Sequence, residues 1–264
     1  MAGVLLDLDG VFYVGNEPVP GAVDTLEWFR QRGIPYLFLT NTTSKSRSGL
    51  VDKLRHIGID TDESHLLTPP VAAVRWIQDH VSGPSALFIP EATRAEFAAL
   101  DRVEPGSGTA AGAVVLGDLG EAWDFQTYNA AFRMLMNDPQ PALVALGMTR
   151  YWQALDGLRL DVGAYVSGLQ YATGVKPTIM GKPAAPFFQS ALDIIGCTAG
   201  QAVMIGDDIR GDVGGAQSAG ISGLLVRTGK FQASDLKGDI KPAAVLDTIA
   251  DLPDWWRATN HYLH

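Results

Sequence analysis

The chain is poor in cysteine. Cys197 is the single one among 264 residues. That excludes an internal disulfide and a bridge-stapled extracellular scaffold, and it fits a reducing compartment, where the thiol reads as a small buried hydrophobe. Positive charge is also scarce. Twenty Lys and Arg stand against 29 Asp and Glu, for a net charge of −9. Such a balance disfavours the basic face that nucleic acids or anionic membranes require. Long apolar runs are missing too: none approaches the ~18 residues of a membrane-spanning helix. The apolar start at residues 3–6 is broken by Asp7, far short of the apolar core of an export signal. The expectation is a soluble cytoplasmic protein with neither nucleic acid nor membrane as partner. What the chain has is 47% hydrophobic residues, enough for a large core, with 29 glycines and 15 prolines spread as punctuation among many short elements.

The N-terminal third alternates. Residues 3–8 read as a buried strand and 21–32 as a helix with Val23, Leu26 and Phe29 on one side. "IPYLFLTN" is a second strand, and "KSRSGLVDKLRHIG" a second helix. Strand–helix repetition implies a parallel sheet with right-handed crossovers. The C-terminal third continues the pattern: a short strand in "PTIMGKP", a helix over 184–195, strands in "AVMIGDD" and "SGLLVRTG", and a helix starting in "DVGGAQSAG". The two thirds are expected to form one doubly wound, mostly parallel Rossmann-like α/β sheet. The middle carries its own strands, "PSALFIP", "GAVVLGD", "PALVALG" and "ALDGLRL", among helices near 70–80, 125–136 and 161–173. This predicts a discontinuous core of residues 1–68 and 179–264, with an inserted smaller α/β domain over 69–178.

The first strand ends in a conflict. Asp7 and Asp9 follow Val4, Leu5 and Leu6, and side chains at i and i+2 of a strand share a face. Ligands of open α/β sheets bind beyond the carboxyl ends of the strands. Thr40, Asn41 and Thr42 in "LTNTTS", Asp207 and Asp208 after "AVMIG", and Lys182 in "IMGKP" fall at such ends. Four strands are thus expected to deliver polar groups to one rim. Asp7, Asp9 and Asp207 are hard oxygen donors suited to Mg²⁺, which would relieve their repulsion. Lys182 would neutralise a phosphate and hold a carboxylate, while Thr40 and Asn41 offer hydrogen bonds to phosphate oxygens. A carboxylate can attack phosphorus, and a second carboxyl two residues on can protonate the leaving group and then activate water.

"DLDGV", "TNTT", "GKP" and "IGDD…D", in that order across nearly the whole chain, resemble the four motifs of the haloacid dehalogenase-like phosphatases. The resemblance implies Asp7 as nucleophile and Asp9 as general acid/base. It implies Mg²⁺ held by Asp7, the backbone carbonyl of Asp9, and Asp207. Thr40, Asn41 and Thr42 would bind the phosphate beside Lys182, and Asp208 and Asp212 would support the metal ligands. About thirty residues separate Asp9 from Thr40, and about 140 separate Thr40 from Lys182. An inserted cap therefore belongs between the second and third motifs, as in the α/β-capped subfamily. Homodimerisation through that cap is the partnership the resemblance implies. The substrate would be a small phosphorylated compound: phosphohistidine, phospholysine, pyrophosphate, pyridoxal phosphate and nucleotides all present a similar group.

Rival readings stand beside these. Asp208 and Asp212 both sit where a helix opens and suit capping as well as metal support. Asn41-Thr42-Thr43 matches a glycosylation acceptor, which has no use without export. "GSGTAAG" precedes a strand instead of following one, unlike a dinucleotide loop. The histidines show no metal-ligand spacing, and His261 and His264 fall in a terminal tail. Arg150, Tyr151 and Trp152 in the insert are candidates for choosing the leaving group, against ordinary surface packing. A receiver-type phospho-switch shares the acidic pocket and lysine but is about half this size and has no insert. A phosphotransferase is the other alternative.

Overall fold

The structure, a computed structural model, describes residues 1–154 and 156–260. His261 and His264 lie outside the described residues, as does Leu155. The chain divides into two compact units. The first comprises Met1–Thr40, Arg47–Leu67 and the chain from Lys182 onward; the second comprises Asn41–Ser46 and Thr68–Gly181.

The first unit is built on a six-stranded parallel sheet in the order Ala244–Leu246, Ser222–Val226, Ala202–Gly206, Gly3–Asp7, Tyr36–Leu39, Leu66–Leu67. Parallel strands covered on both faces need continuous apolar runs. Val4, Leu5 and Leu6 supply one, and Val203, Met204 and Ile205 another, all fully buried. From Gly3–Asp7 the chain winds outward through Tyr36–Leu39 to Leu66–Leu67. It later returns to the opposite side of Gly3–Asp7 and winds the other way. The reversal of strand order therefore falls between Gly3–Asp7 and Ala202–Gly206.

The helix Ala22–Gln31 buries Ala22, Thr25, Leu26 and Phe29, a spacing of i, i+3, i+4 and i+7. The expectation for Val23 is corrected: it is 44% exposed, one position off that stripe. Helix Arg47–His56 buries Leu50, Val51 and Leu54. Helix Ala185–Ile195 buries Phe187, Phe188, Ala191 and Leu192 and ends at Gly196 in the left-handed conformation. Cys197, read as a buried hydrophobe, is only half-buried.

The second unit has its own four-stranded parallel sheet, ordered Thr178–Ile179, Ala142–Ala145, Ala113–Leu116, Ser85–Phe88. Its core gathers Val114, Leu116, Leu143, Val166 and Leu169 around Trp123. Two of its helices open on aspartate caps. The Asp124 side chain accepts from the Thr127 N–H at 2.7 Å, and that of Asp161 from the Val162 N–H at 2.6 Å.

Two expectations change here. Thr178–Ile179 pairs with Ala142–Ala145 in this sheet and not with the six-stranded one. The stretch read as one strand, "ALDGLRL", is part of an antiparallel hairpin of Tyr151–Ala154 and Gly157–Leu160. Gly157 turns there with a positive φ of 134°, which only glycine adopts freely. Among the described residues no helix is long and apolar enough to cross a membrane.

Candidate active site

In doubly wound sheets the point where strand order reverses leaves a crevice beyond the strand ends. Asp7 closes Gly3–Asp7, and Asp207 is the first residue past Ala202–Gly206, so the two acids flank that point. Thr40 is the first residue past Tyr36–Leu39 and is buried, its N–H donating to Leu67 O at 3.2 Å. Three strands of this sheet, not four, deliver the polar groups. Lys182 arrives on the segment that leads into helix Ala185–Ile195.

Lys182 organises the centre. Its ammonium lies 2.5 Å from Asp7 Oδ1 and 2.7 Å from Asp212 Oδ1, and it donates to the Leu39 carbonyl at 3.3 Å. The lysine side chain is 5% exposed, and those of its two acid partners 9% and 2%. Asp212 Oδ2 accepts the Asp208 N–H at 3.1 Å, so both its oxygens are engaged. Gly206 makes room for it, since a Cβ there would run into the Asp212 carboxylate.

Asp207 is held on one side only. Its Oδ2 accepts the Lys230 N–H at 2.7 Å, while Oδ1 is buried with no hydrogen-bond partner. Gly10 and Gly229 pack against this carboxylate with φ of 83° and 65°, and a Cβ on either would collide with it. The Thr228 hydroxyl donates to the Gly10 carbonyl and ties the two loops together.

Asp7, Asp207 and Asp212 each place a carboxylate oxygen within 4.8 Å of the others. Three buried carboxylates and one buried ammonium leave a net charge of two negative, which a low-dielectric site does not tolerate unrelieved. The titration of these groups carries the same strain. Burial pushes Asp7 above the usual carboxylate range, although Lys182 opposes it. Burial likewise raises Asp207, and raises Asp212 to about 6 against the pull of Lys182. Burial would lower Lys182, but Asp212 and Asp7 together outweigh it and hold the ammonium protonated. The donor set fits a hard divalent cation: all-oxygen, doubly negative, with an unsatisfied buried oxygen on Asp207.

The remaining predicted residues separate. Asp9 is exposed, and its carboxylate is not in the buried trio. Its Oδ2 accepts from the Tyr13 hydroxyl at 2.9 Å. Asp208 is the helix cap, with Oδ1 accepting the Arg210 and Gly211 N–H groups at 2.9 and 2.8 Å. Burial tends to raise Asp208, but the Gly211 and Arg210 donors outweigh it and lower the acid. Asn41 and Thr42 follow Thr40 in the chain but group with the second unit. Arg150, Tyr151 and Trp152 also belong to that unit, at and just before its hairpin, with Tyr151 and Trp152 exposed. Sequence reasoning missed Tyr13, Gly229 and the Lys230 backbone. Their only signals were an aromatic six residues past Asp7 and a glycine after a strand, both too common to stand out.

A buried acid–lysine cluster at the switch point of a parallel sheet suits a protein that handles phosphate beside a divalent cation, a class that holds both hydrolases and phospho-switches. Comparison with known proteins narrows the class. Residues 4–101 match the haloacid dehalogenase-like hydrolase family, and residues 179–252 match a second, HAD-hydrolase-like family description. Human phospholysine phosphohistidine inorganic pyrophosphate phosphatase is 40% identical over 257 residues, spanning 96% of this chain and 93% of that one. Among solved structures, a hypothetical protein of Pyrococcus horikoshii OT3 superposes with a TM-score of 0.88 at 27% identity, covering 97% of this chain and 100% of that one. The p-nitrophenyl phosphatase of Archaeoglobus fulgidus superposes at 0.85 and 25% identity, covering 96% and 98%. The chain belongs to the haloacid dehalogenase-like hydrolases, and it is a phosphatase.

Proposed function

We propose that this phosphatase cleaves phosphoramidate and phosphoanhydride bonds, those of phosphohistidine, phospholysine and pyrophosphate, with Mg²⁺ as its metal. The substrate class is supported by the likeness to the human enzyme of that name across nearly the full length of both chains. The observation that carries the chemistry is the uncompensated double negative charge around Lys182, with Asp207 Oδ1 left without a partner. Asp7, Asp207 and the Asp9 carbonyl would hold the metal, which when bound screens phosphate charge from the attacking carboxylate.

In this reading the Asp7 carboxylate attacks phosphorus as the bond to the leaving nitrogen or oxygen breaks. Lys182 holds Asp7 through Oδ1 and keeps its position between two acids. Asp9 gives its proton to the leaving group. It then takes a proton from water as that water attacks the aspartyl-phosphate, which releases inorganic phosphate and restores the Asp7 carboxylate. Thr40, Asn41 and Thr42 bind phosphate oxygens. Asp212 orients Lys182, and Asp208 shapes the turn that carries Asp212.

The first unit would be the catalytic domain, its seams falling at Leu67 and Lys182 instead of at 68 and 179. The inserted unit would be the cap that selects the leaving group, with Arg150, Tyr151 and Trp152 as contributors. The exposed Tyr151, Trp152, Leu158 and Leu160 of its hairpin support a homodimer through this domain. The single half-buried cysteine supports a cytoplasmic setting.

The deciding experiment is phosphate release with Mg²⁺ from phosphohistidine, phospholysine and pyrophosphate, set against nucleotide and pyridoxal phosphates. A higher kcat/KM for the first group is expected. A preference for the monoesters would favour the second reading, a general phosphomonoesterase, to which the likeness to the Archaeoglobus enzyme points. Asp7→Asn should remove turnover and the acid-stable phosphoryl label on the protein. Retained labelling would rule out Asp7 as the nucleophile.

A further inference from the structure

We propose that Tyr13 is a positioning residue for Asp9, and that Lys53 tunes it through the face of its ring. The inference rests on the role given above to Asp9. Asp9 lies past the end of its strand and is exposed, which leaves a hydrogen bond room to set the direction of its side chain. Tyr13 is almost wholly buried, and its ring belongs to the core of the first unit. A buried ring with an outward hydroxyl makes a rigid post.

That hydroxyl donates to Asp9 Oδ2 at 2.9 Å. The backbone adds to the hold, since Asp9 and Tyr13 form an isolated bridge and the Gly10 N–H donates to the Tyr13 carbonyl at 2.7 Å. With Oδ2 occupied by a donor, Oδ1 is the oxygen assigned to carry the proton toward the leaving group. Lys53, on helix Arg47–His56, places its ammonium 3.8 Å from the centroid of the Tyr13 ring. A cation on the ring face draws electron density from it and strengthens the phenol as a donor.

The test compares leaving groups, because an acid matters most when the leaving group is poor. kcat/KM covers every step up to departure of that group. Tyr13→Phe keeps the ring and removes the hydroxyl. Its kcat/KM for an alkyl phosphate should fall roughly tenfold or more, while that for p-nitrophenyl phosphate, whose leaving group needs little protonation, changes less than about threefold. Lys53→Gln, a partly exposed change, should show a smaller bias in the same direction, and Lys53→Arg should restore the wild-type pattern. Equal losses on both substrates in Tyr13→Phe, or no loss at all, would overturn the inference, and a bias in Tyr13→Phe with none in Lys53→Gln would overturn the part given to Lys53. Should Tyr13→Phe fail to fold, the bias of Lys53→Gln alone decides it. Asp9→Asn separates the two levels. A leaving-group bias there without one in Tyr13→Phe rejects only the positioning role, and no bias in Asp9→Asn rejects the acid role and this inference with it.

Discussion

Lys182 shows how one residue reconciles opposing demands. Alone, a buried ammonium sheds its proton and a buried carboxylate takes one up. Set between Asp7 and Asp212, the lysine stays charged, and Asp7 and Asp212, although both raised by burial, are held back by it. Replacing it leaves two acids facing each other without a counter-ion, a change that ordinarily costs 3–5 kcal/mol (about that range). Lys182→Met should therefore lower the urea midpoint by an amount equivalent to about 3 kcal/mol and remove turnover. A variant of wild-type stability would mean that the cluster tolerates the loss by other means. The glycines beside Asp207 act by absence: Gly10 and Gly229 combine a left-handed backbone with an approach too close for a Cβ.

At the scale of elements, aspartates at the starts of turns place the chain. Asp208 fastens the wide helical turn Ile209–Gly214 by accepting two N–H groups, and that turn brings Asp212 back beneath Gly206. Asp62 does the same for Glu63–His65, accepting the Ser64 N–H at 2.8 Å. Hydrogen bonds from Ser64 pull its acid down to about 2, with His65 adding to the effect. A depressed carboxylate stabilises the fold above the unfolded value and loses that contribution as pH falls through the folded one. Asp62→Ala should cost about 1 kcal/mol near neutral pH. Its deficit against wild type should shrink below about pH 4 and close as pH passes about 2. A deficit unchanged across that window would show that packing, not the ionised cap, holds the turn.

For the whole molecule, the unrelieved charge in the first unit makes metal binding a stability question. A ligand that binds only the folded state at a hundred times its Kd adds about 2.7 kcal/mol. Mg²⁺ should therefore raise the Tm of the intact chain, and a chelator should return it. Asp207→Asn should abolish the shift while the apo variant melts at or above apo wild type, because one repelling charge is gone. A Tm that does not move with Mg²⁺ in the wild-type chain would place the metal elsewhere or leave it bound too weakly to matter.

Much of this is legible in the sequence. The buried strand ending at Asp7, the parallel alternation and the inserted middle follow from local apolar runs and turn residues, which act over a few neighbours. The sheet that Thr178–Ile179 joins is not legible in sequence, because a two-residue strand carries no mark of its partner. The exposure of Val23 is not legible either, because sequence spacing fixes a helix stripe only to within one residue. The even choice between Asp208 and Asp212 was undecidable from spacing, since either acid can cap, and only the turn geometry sends one to the N–H groups and the other to Lys182. Sequence alone determined which side chains end at strand tips, because chain direction and apolar content settle that locally. Tertiary structure alone decided that three carboxylates and one ammonium share a buried volume, that one Asp207 oxygen lacks a donor, and that Tyr13 meets Asp9 beneath Lys53. Those are contacts across as many as 205 positions of chain, as between Asp7 and Asp212, and they depend on how the sheet reverses its order.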